Sequence, residues 1–239
     1  DSECDIIDLV LAALSAHDLT LATGDILVIA QKIVSKAEGR MVNLAEVEPG
    51  DQAHELARKT SKDPRLVELI LSESSEVLRA IDELIIVVHR LGIVLANAGI
   101  DASNVAPSTA IEQVLLLPKD PDRSAREYRR RIKQQTGSSV GVIINDSVGR
   151  AWRLGTTSLA IGVAGVTALE DHRGKPDLFG VSLKVSEEAV ADELASAATL
   201  LQGQAAEKCP VVLIRGFTSG SDEQSAASLI RPLEQDLFR

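Results

Sequence analysis

Three short aliphatic runs set the terms for this chain. Residues 26–30 read ILVIA, residues 140–144 read VGVII and residues 210–214 read PVVLI. A run of about five such residues between turn-forming segments fits a strand buried on both faces, whereas a strand with one wet face alternates. Only Tyr128, Trp152, Phe179, Phe217 and Phe238 are aromatic among 239 residues, so the core these strands enter is aliphatic. The same scarcity argues against bases stacked on an aromatic platform.

Around these runs the chain reads as a mixture of helices and further strands. Ile6–Leu14 has apolar residues at helical spacing, with Asp5 placed to cap it. Asp51–Lys59 and Pro64–Leu71 predict two short helices, Pro64 fitting a first helical turn. Leu84–Val88 and Ile93–Ala96 predict a hairpin closed by His89–Gly92. Ser124–Gln135 predicts a charged helix, and Glu187–Leu201 an amphipathic one. Gln31–Arg40 is polar and contains glycine, and reads as a strand end plus loop. Ser158–Val166 alternates weakly and is interrupted by glycine, a pattern that would let strands of two subunits approach closely. Residues 105–124, with Pro107, Pro118 and Pro121, are the least structured internal stretch. No repeat or linker divides the sequence. Helices and strands do not alternate regularly, and neither GxGxxG after a strand nor GxxxxGK[ST] occurs, so neither common phosphate cradle is present.

Acidic residues number 35 and basic residues 25, a net charge of −10. Duplex nucleic-acid binders carry the opposite balance, because phosphate contacts supply most of their affinity. An acidic protein can still hold a small phosphorylated ligand through a divalent cation. No apolar run approaches the ~18–20 residues of a membrane helix. Cys4 and Cys209 make no disulfide framework and no CxxC pair. No signal peptide is visible, so the cytoplasm is the expected location. The sequence opens on Asp1 rather than Met, which suggests a natural start upstream.

Asp101 and Asp146 stand out by position, each expected in a small polar loop just past a buried strand. Two carboxylates converging from strand ends would form an oxygen-only site suited to Mg²⁺ or Mn²⁺. Asp is equally favoured in turns for its backbone capping, and spacing alone leaves both readings open. Lys36 is a positive charge suited to a phosphate contact or to a solvated loop. Arg129, Arg130 and Arg131 point in different directions on a helix and read mainly as a solvated face. His17, His54, His89 and His172 show no metal-ligand spacing, and neither GxSxG nor HExxH is found. Glu187, Glu188, Asp192 and Glu193 gather near one helix, the first pair complementing its dipole.

Longer strings are more specific. SKAEGR at 35–40, NAGIDASN at 97–104 and GVIINDSVGRAWRLG at 141–155 together resemble the coenzyme F420-0:L-glutamate ligase (gamma-glutamyl ligase) family. LLLPKDPDRSA at 115–125, AIGVAG at 160–165, VADELASAA at 190–198 and PVVLIRG at 210–216 extend the likeness in order over nearly the whole chain. The resemblance implies an α+β fold of mixed sheets with flanking helices, residues 1–239 forming one such domain within an intertwined homodimer. It implies an enzyme that uses GTP and two divalent cations, Mg²⁺ or Mn²⁺ with K⁺ as a further candidate, to add L-glutamate to the deazaflavin precursor of the coenzyme. Carried over residue by residue, Asp101, Asp146, Ser147 and Gln204 match metal contacts. Gln31, Lys32, Lys36, Asn104, Gln202 and Gly203 match nucleotide contacts.

Some positions depart from the family pattern. Asn145 and Ser147 each replace a more usual Thr, and the segment 202–209 is less glycine-rich. A Pro-containing turn that touches the nucleotide in the family would lie before Asp1. Two other readings remain at this stage: a metal-dependent phosphohydrolase using the same aspartates, and a nucleotide-binding subunit without catalysis.

Overall fold

The computed structural model describes residues 5–101, 112–218, 220 and 223–237. In chain order the elements are α1 (Ile6–Ala16), β1 (Ile26–Ala30), α2 (Gln31–Ala37), β2 (Met41–Asn43), α3 (Asp51–Thr60), α4 (Pro64–Ser72), β3 (Ser74–Ile81), β4 (Leu84–His89) and β5 (Val94–Ala96). There follow β6 (Gln113–Leu115), α5 (Pro121–Thr136), β7 (Gly141–Arg150), β8 (Arg153–Ala164), β9 (Glu170–Asp171), β10 (Glu187–Glu188), α6 (Val190–Gln202) and β11 (Val211–Ile214). Helices and strands are interspersed and the main sheet mixes parallel with antiparallel pairs, in keeping with the expected α+β class.

The three aliphatic runs do pair with one another. The main sheet has the order β11-β1-β7-β8, with β1 parallel to β7 and the other pairs antiparallel. Its faces follow from period-two alternation. Leu27, Ile29, Val142 and Ile144 pack with Ile7 and Val10 of α1 and with Ala125 and Ile132 of α5. Ile26, Val28, Ile143 and Val163 pack with Ala191, Leu194, Ala195 and Ala198 of α6. Helices therefore cover both faces, and no position of β1 has a solvent side to encode with a polar residue.

A second unit is built from α3, α4 and the β3-β4-β5 sheet around Val67, Ile70, Ile85 and Val87. A charge cluster joins it to the main body. Glu73 Oε2 lies 2.8 Å from Arg40 Nη2, accepts from Arg90 Nε at 3.0 Å and stands 3.5 Å from His89 Nε2. Arg40 Nε donates to the Leu117 carbonyl and Arg90 Nη1 to that of Lys119, so one buried carboxylate organises two peptide segments.

Several local expectations need correction. Gln31–Ala37 is helix rather than strand end and loop. Its buried residues Gln31, Val34 and Ser35 show i, i+3, i+4 spacing within too short a segment for a period to stand out. β7 does not stop at Ile144 but continues as a hairpin to Arg150, because Ser147, Val148 and Gly149 pair with Ser158, Thr157 and Thr156. Glu187 and Glu188 form a short strand against Glu170 and Asp171, so Asp192 and Glu193 are the acids of the first turn of α6. β3 is half-exposed and carries no clean alternation. Within the supposedly unstructured 105–124, the described part contains β6 and the start of α5.

Gly162 of β8 and Gly165 just past it have close neighbours within this chain. A Cβ on Gly162 would lie 2.4 Å from the Pro121 carbonyl oxygen, and one on Gly165 would strike the Arg129 side chain. Both glycines admit α5 against the sheet.

Burial alone would raise the Glu73 carboxyl, but His89, Arg40 and Arg90 more than offset it and hold it down at about 2, against an ordinary 4.5. A carboxyl lowered on folding stabilises the fold above its unfolded value, and that stability is lost as pH falls toward the folded one. The gap corresponds to on the order of 3 kcal/mol. Glu73→Gln should therefore lower Tm at pH 7 and flatten the fall of Tm between pH 5 and pH 2, as followed by circular dichroism. An unchanged acid limb would contradict the assignment.

Candidate active site

The β1–β7 ladder ends with the pair Ala30↔Asn145. Beyond it β1 turns directly into α2, whereas β7 runs on beside β8 alone. A cavity of about 430 Å³ opens at this step, at the carboxyl end of the parallel β1–β7 ladder, where α/β sheets place their ligands. Its walls are the start of α2, residues 145–147 of β7, the end of α6 and the loop 203–210.

Of the residues singled out from the sequence, Gln31, Lys32, Lys36, Asp146, Ser147, Gln202, Gly203 and Gln204 all line this cavity. Asp101 joins them from another part of the chain. It exchanges both backbone hydrogen bonds with Leu115, at 3.0 and 2.8 Å, and its carboxylate pairs with the Lys32 ammonium. Asn104 lies outside the described residues. Asp146 is not in a loop but in β7, one residue past the last β1 partner. Lys36 is likewise not in a loop, but in the last turn of α2.

Alternation along β7 sends its neighbours apart. Asn145 points to α6, where its Nδ2 lies 2.8 Å from Gln202 Oε1 and 3.0 Å from Thr199 Oγ1. Ser147 takes the same side and shares hydrogen bonds of 3.0 and 3.1 Å with the Gln204 amide. Asp146 takes the other side, towards Gln31, Lys32 and Asp101. Part of its surface reaches the cavity mouth, but its carboxyl is closely surrounded by protein. Burial pushes that carboxyl up to about 6, with the Asp101 charge adding to the rise, against the lowering effects of the Ser147 N–H, Lys32 and Gln31.

Two neighbouring carboxylates with a lysine already drawn onto one of them define a place where positive charge is wanted. Asp101 and Asp146 on one side of β7, and Ser147 with the Gln204 carbonyl on the other, offer oxygen donors, which suit Mg²⁺ or Mn²⁺ better than softer ions. Gly203 adopts φ +74°, a backbone conformation that favours glycine where α6 gives way to the loop.

Sequence reasoning passed over Asn145, Thr199 and Glu207 as cavity residues. The i, i+4, i+7 spacing of Ala195, Thr199 and Gln202 on α6 was the available signal for one wall. The histidines, read as unrelated to one another and to any ligand set, need one correction. Glu170, His172 and Glu188 bring ligand atoms within 4.8 Å of one another, with the Lys175 ammonium 2.6 Å from Glu170 and 3.1 Å from His172 Nδ1. A protein cation already serves that cluster, which lies on the β9–β10 arm. No helix among the described residues is long and apolar enough to cross a membrane.

Relatives of this chain are found among known proteins. Residues 1–216 match the model of the F420-0:Gamma-glutamyl ligase family. The chain is 46% identical over 237 residues to the coenzyme F420:L-glutamate ligase of Methanothermobacter thermautotrophicus, covering 98% of this chain and 92% of that protein. It is 46% identical over 233 residues to the enzyme of that name from Methanopyrus kandleri, covering 96% and 91%. For the one from Archaeoglobus fulgidus the identity is 42% over 229 residues, covering 96% and 90%. Matched by the family model over residues 1–216 and 46% identical to relatives over nearly its whole length, the chain belongs to the F420-0:gamma-glutamyl ligase family.

Proposed function

We propose that this protein is a GTP-dependent ligase that joins L-glutamate to the deazaflavin precursor coenzyme F420-0, building gamma-glutamyl-linked F420 in the cytoplasm. The observation that carries the reading is the cavity at the ends of β1 and β7, which gathers Lys32, Lys36, Asp146, Ser147 and Gln204, with Asp101 at its edge. The names of the relatives supply the substrates.

The chemistry asks for such a site. A carboxylate is a poor electrophile, since its leaving group would be oxide. Transfer of the γ-phosphoryl group from GTP to a carboxylate oxygen gives an acyl phosphate and GDP. The glutamate amine then attacks the carbonyl carbon, the C–O bond to phosphate breaks, the amine loses a proton and an amide results. Phosphoryl transfer needs positioning and charge neutralisation more than covalent help. Asp101 and Asp146, with Ser147 and Gln204, would hold two divalent cations, which neutralise phosphate charge when bound. Lys32 and Lys36 present point charges to phosphate oxygens. Gln31, Asn104, Gln202 and Gly203 complete the nucleotide side in this reading.

A homodimer belongs to the same proposal. The arm between β9 and β10 holds Leu178 and Phe179 outward at 99% and 90% exposure. The turn is not loose: Asp177 Oδ1 accepts from the Phe179 and Val181 N–H groups, both at 2.8 Å. Trp152 and Leu154 stand equally exposed at the tip of the β7–β8 hairpin. Large apolar residues held outward by ordered backbone mark a surface made for a partner.

Incubation with F420-0, GTP, Mn²⁺ and L-glutamate should give products heavier by glutamyl units in mass spectrometry, with phosphate released only when glutamate is present. Phosphate release without glutamate would replace the ligase with a phosphohydrolase. Asp101→Asn and Asp146→Asn should each abolish turnover. Asp146→Asn should leave Tm without metal equal or higher at pH 7, because a carboxyl raised by folding destabilises the fold once ionised. Near-normal turnover with Mg²⁺ in either variant would sink the metal assignment. Light scattering at micromolar concentration should give the dimer mass, and Leu178→Asp with Phe179→Asp should shift it towards monomer. A monomeric wild type would contradict the dimer.

A further inference from the structure

The loop 203–209 forms one whole wall of the cavity, yet it contains no regular secondary structure. Its two ends are nevertheless fixed. At the far end the Pro210 carbonyl accepts from the Ala30 N–H at 2.8 Å, the point where β1 becomes α2. At the near end the fixing is done by side chains. Asn145, 3% exposed, directs Nδ2 at Gln202 Oε1 and receives Gln202 Nε2 on its Oδ1 at 3.3 Å. The same Gln202 nitrogen lies 3.3 Å from the Val28 carbonyl and 3.5 Å from that of Pro210. Thr199 Oγ1, Ser158 Oγ and the Ala195 carbonyl also surround Asn145 Nδ2, at 3.0, 3.2 and 3.4 Å.

A reciprocal pair of carboxamides between β7 and the last turn of α6, Asn145 buried and Gln202 half-buried, thus reaches both ends of the loop. We propose that Asn145 is the positioning residue of the nucleotide site. Its pairing with Gln202 sets the loop 203–209 against β7 before any ligand arrives, so that Gln204 meets Ser147 and the loop backbone faces the cavity. Asn145 touches neither substrate nor cation in this role and acts through Gln202. The side chain is suited to it, because a carboxamide donates from one atom and accepts on another, so Asn145 and Gln202 can each do both to the other. A loop held in its bound shape spares the nucleotide the entropy of ordering it. The functional half of the proposal rests on the nucleotide reading above; the structural half does not.

Three proteins decide it: wild type, Asn145→Ala, and Val67→Ala as a reference. Val67 is fully buried in the α3–α4 unit, away from the cavity, so its truncation costs stability without touching the loop. Under conditions where all are folded, amide hydrogen exchange over 203–209 should rise by roughly tenfold or more in Asn145→Ala and stay unchanged in Val67→Ala. With Mn²⁺ present, the Kd and KM for GTP should rise by about tenfold or more in Asn145→Ala, with kcat and the KM for glutamate within about threefold of wild type. Unchanged exchange in the loop would overturn the proposal. Faster exchange with unaltered GTP affinity would overturn its functional half, as would an equal KM rise in Val67→Ala. Absence of GTP binding in the wild type would instead refute the nucleotide reading, and the exchange comparison would still decide the Asn145–Gln202 lock.

Discussion

The parallel ladder between β1 and β7 runs from Ile26↔Gly141 to Ala30↔Asn145 and stops because β1 turns into α2 while β7 continues. That mismatch in length creates the cavity. Before the step, every residue of the two strands is enclosed by helices and must be apolar. After it, β7 keeps its pairing with β8 but has no neighbour on its other edge, and polar side chains become affordable. Asn145, Asp146 and Ser147 follow the aliphatic run of β7 at this boundary. The period-two pleat then distributes them: Asp146 to the side of α2 and Asp101, Asn145 and Ser147 to the side of α6 and the loop.

Electrostatics makes the step a site rather than a gap. Bringing Asp101 to Asp146 works against folding, since burial disfavours ionisation of Asp146 and the Asp101 charge disfavours it further. Lys32 offsets part of this by pairing with Asp101. The proposed binding of a phosphorylated nucleotide with divalent ions rests on this carboxylate pair lying beside two lysines and a carboxamide-bearing loop. The stability given up locally is supplied by the two large aliphatic clusters on either side of the main sheet.

Much of this was legible in the sequence, for identifiable reasons. The aliphatic runs gave three strands of the main sheet, because strands buried on both faces leave no alternative to a continuous apolar word. Asp5 was read as the cap of α1 and its Oδ1 does accept from the Ile7 N–H at 2.9 Å. Asp101, Asp146 and Lys36 stood out by position and the other candidates by longer strings; most of them line one cavity, with Asp101 paired to its Lys32. What escaped was set by pairing rather than by local preference. Asn145–Ser147 have loop-forming residue types, and only the ladder with β8 makes them strand. α2 is too short for its period to be recognised, so Lys36 was assigned to a loop. The glycines of β8 signalled a close approach, but no sequence signal says that the approaching backbone is Pro121 of the same chain.

Asp101 shows most clearly how far apart the determinants of one site lie. It enters from the second unit, after β5 and a turn in which Asn97 and Ala98 both take left-handed backbone angles, φ 49° and 54°. Its backbone is pinned on Leu115 by two hydrogen bonds, and the next residue, Leu116, donates to the Arg40 carbonyl at 3.1 Å. Arg40 Nε in turn holds the Leu117 carbonyl at 2.9 Å, and Glu73 holds Arg40. Arg40 lies just beyond α2, the helix that supplies Lys32. The same peptide that carries the lysine into the cavity therefore also fixes the strand that carries its aspartate partner. The charge cluster at Glu73 and the charge pair at the site are two ends of one short length of chain. The register between the α3–α4 unit and the main sheet is thereby coupled to the meeting of Asp101 with Asp146.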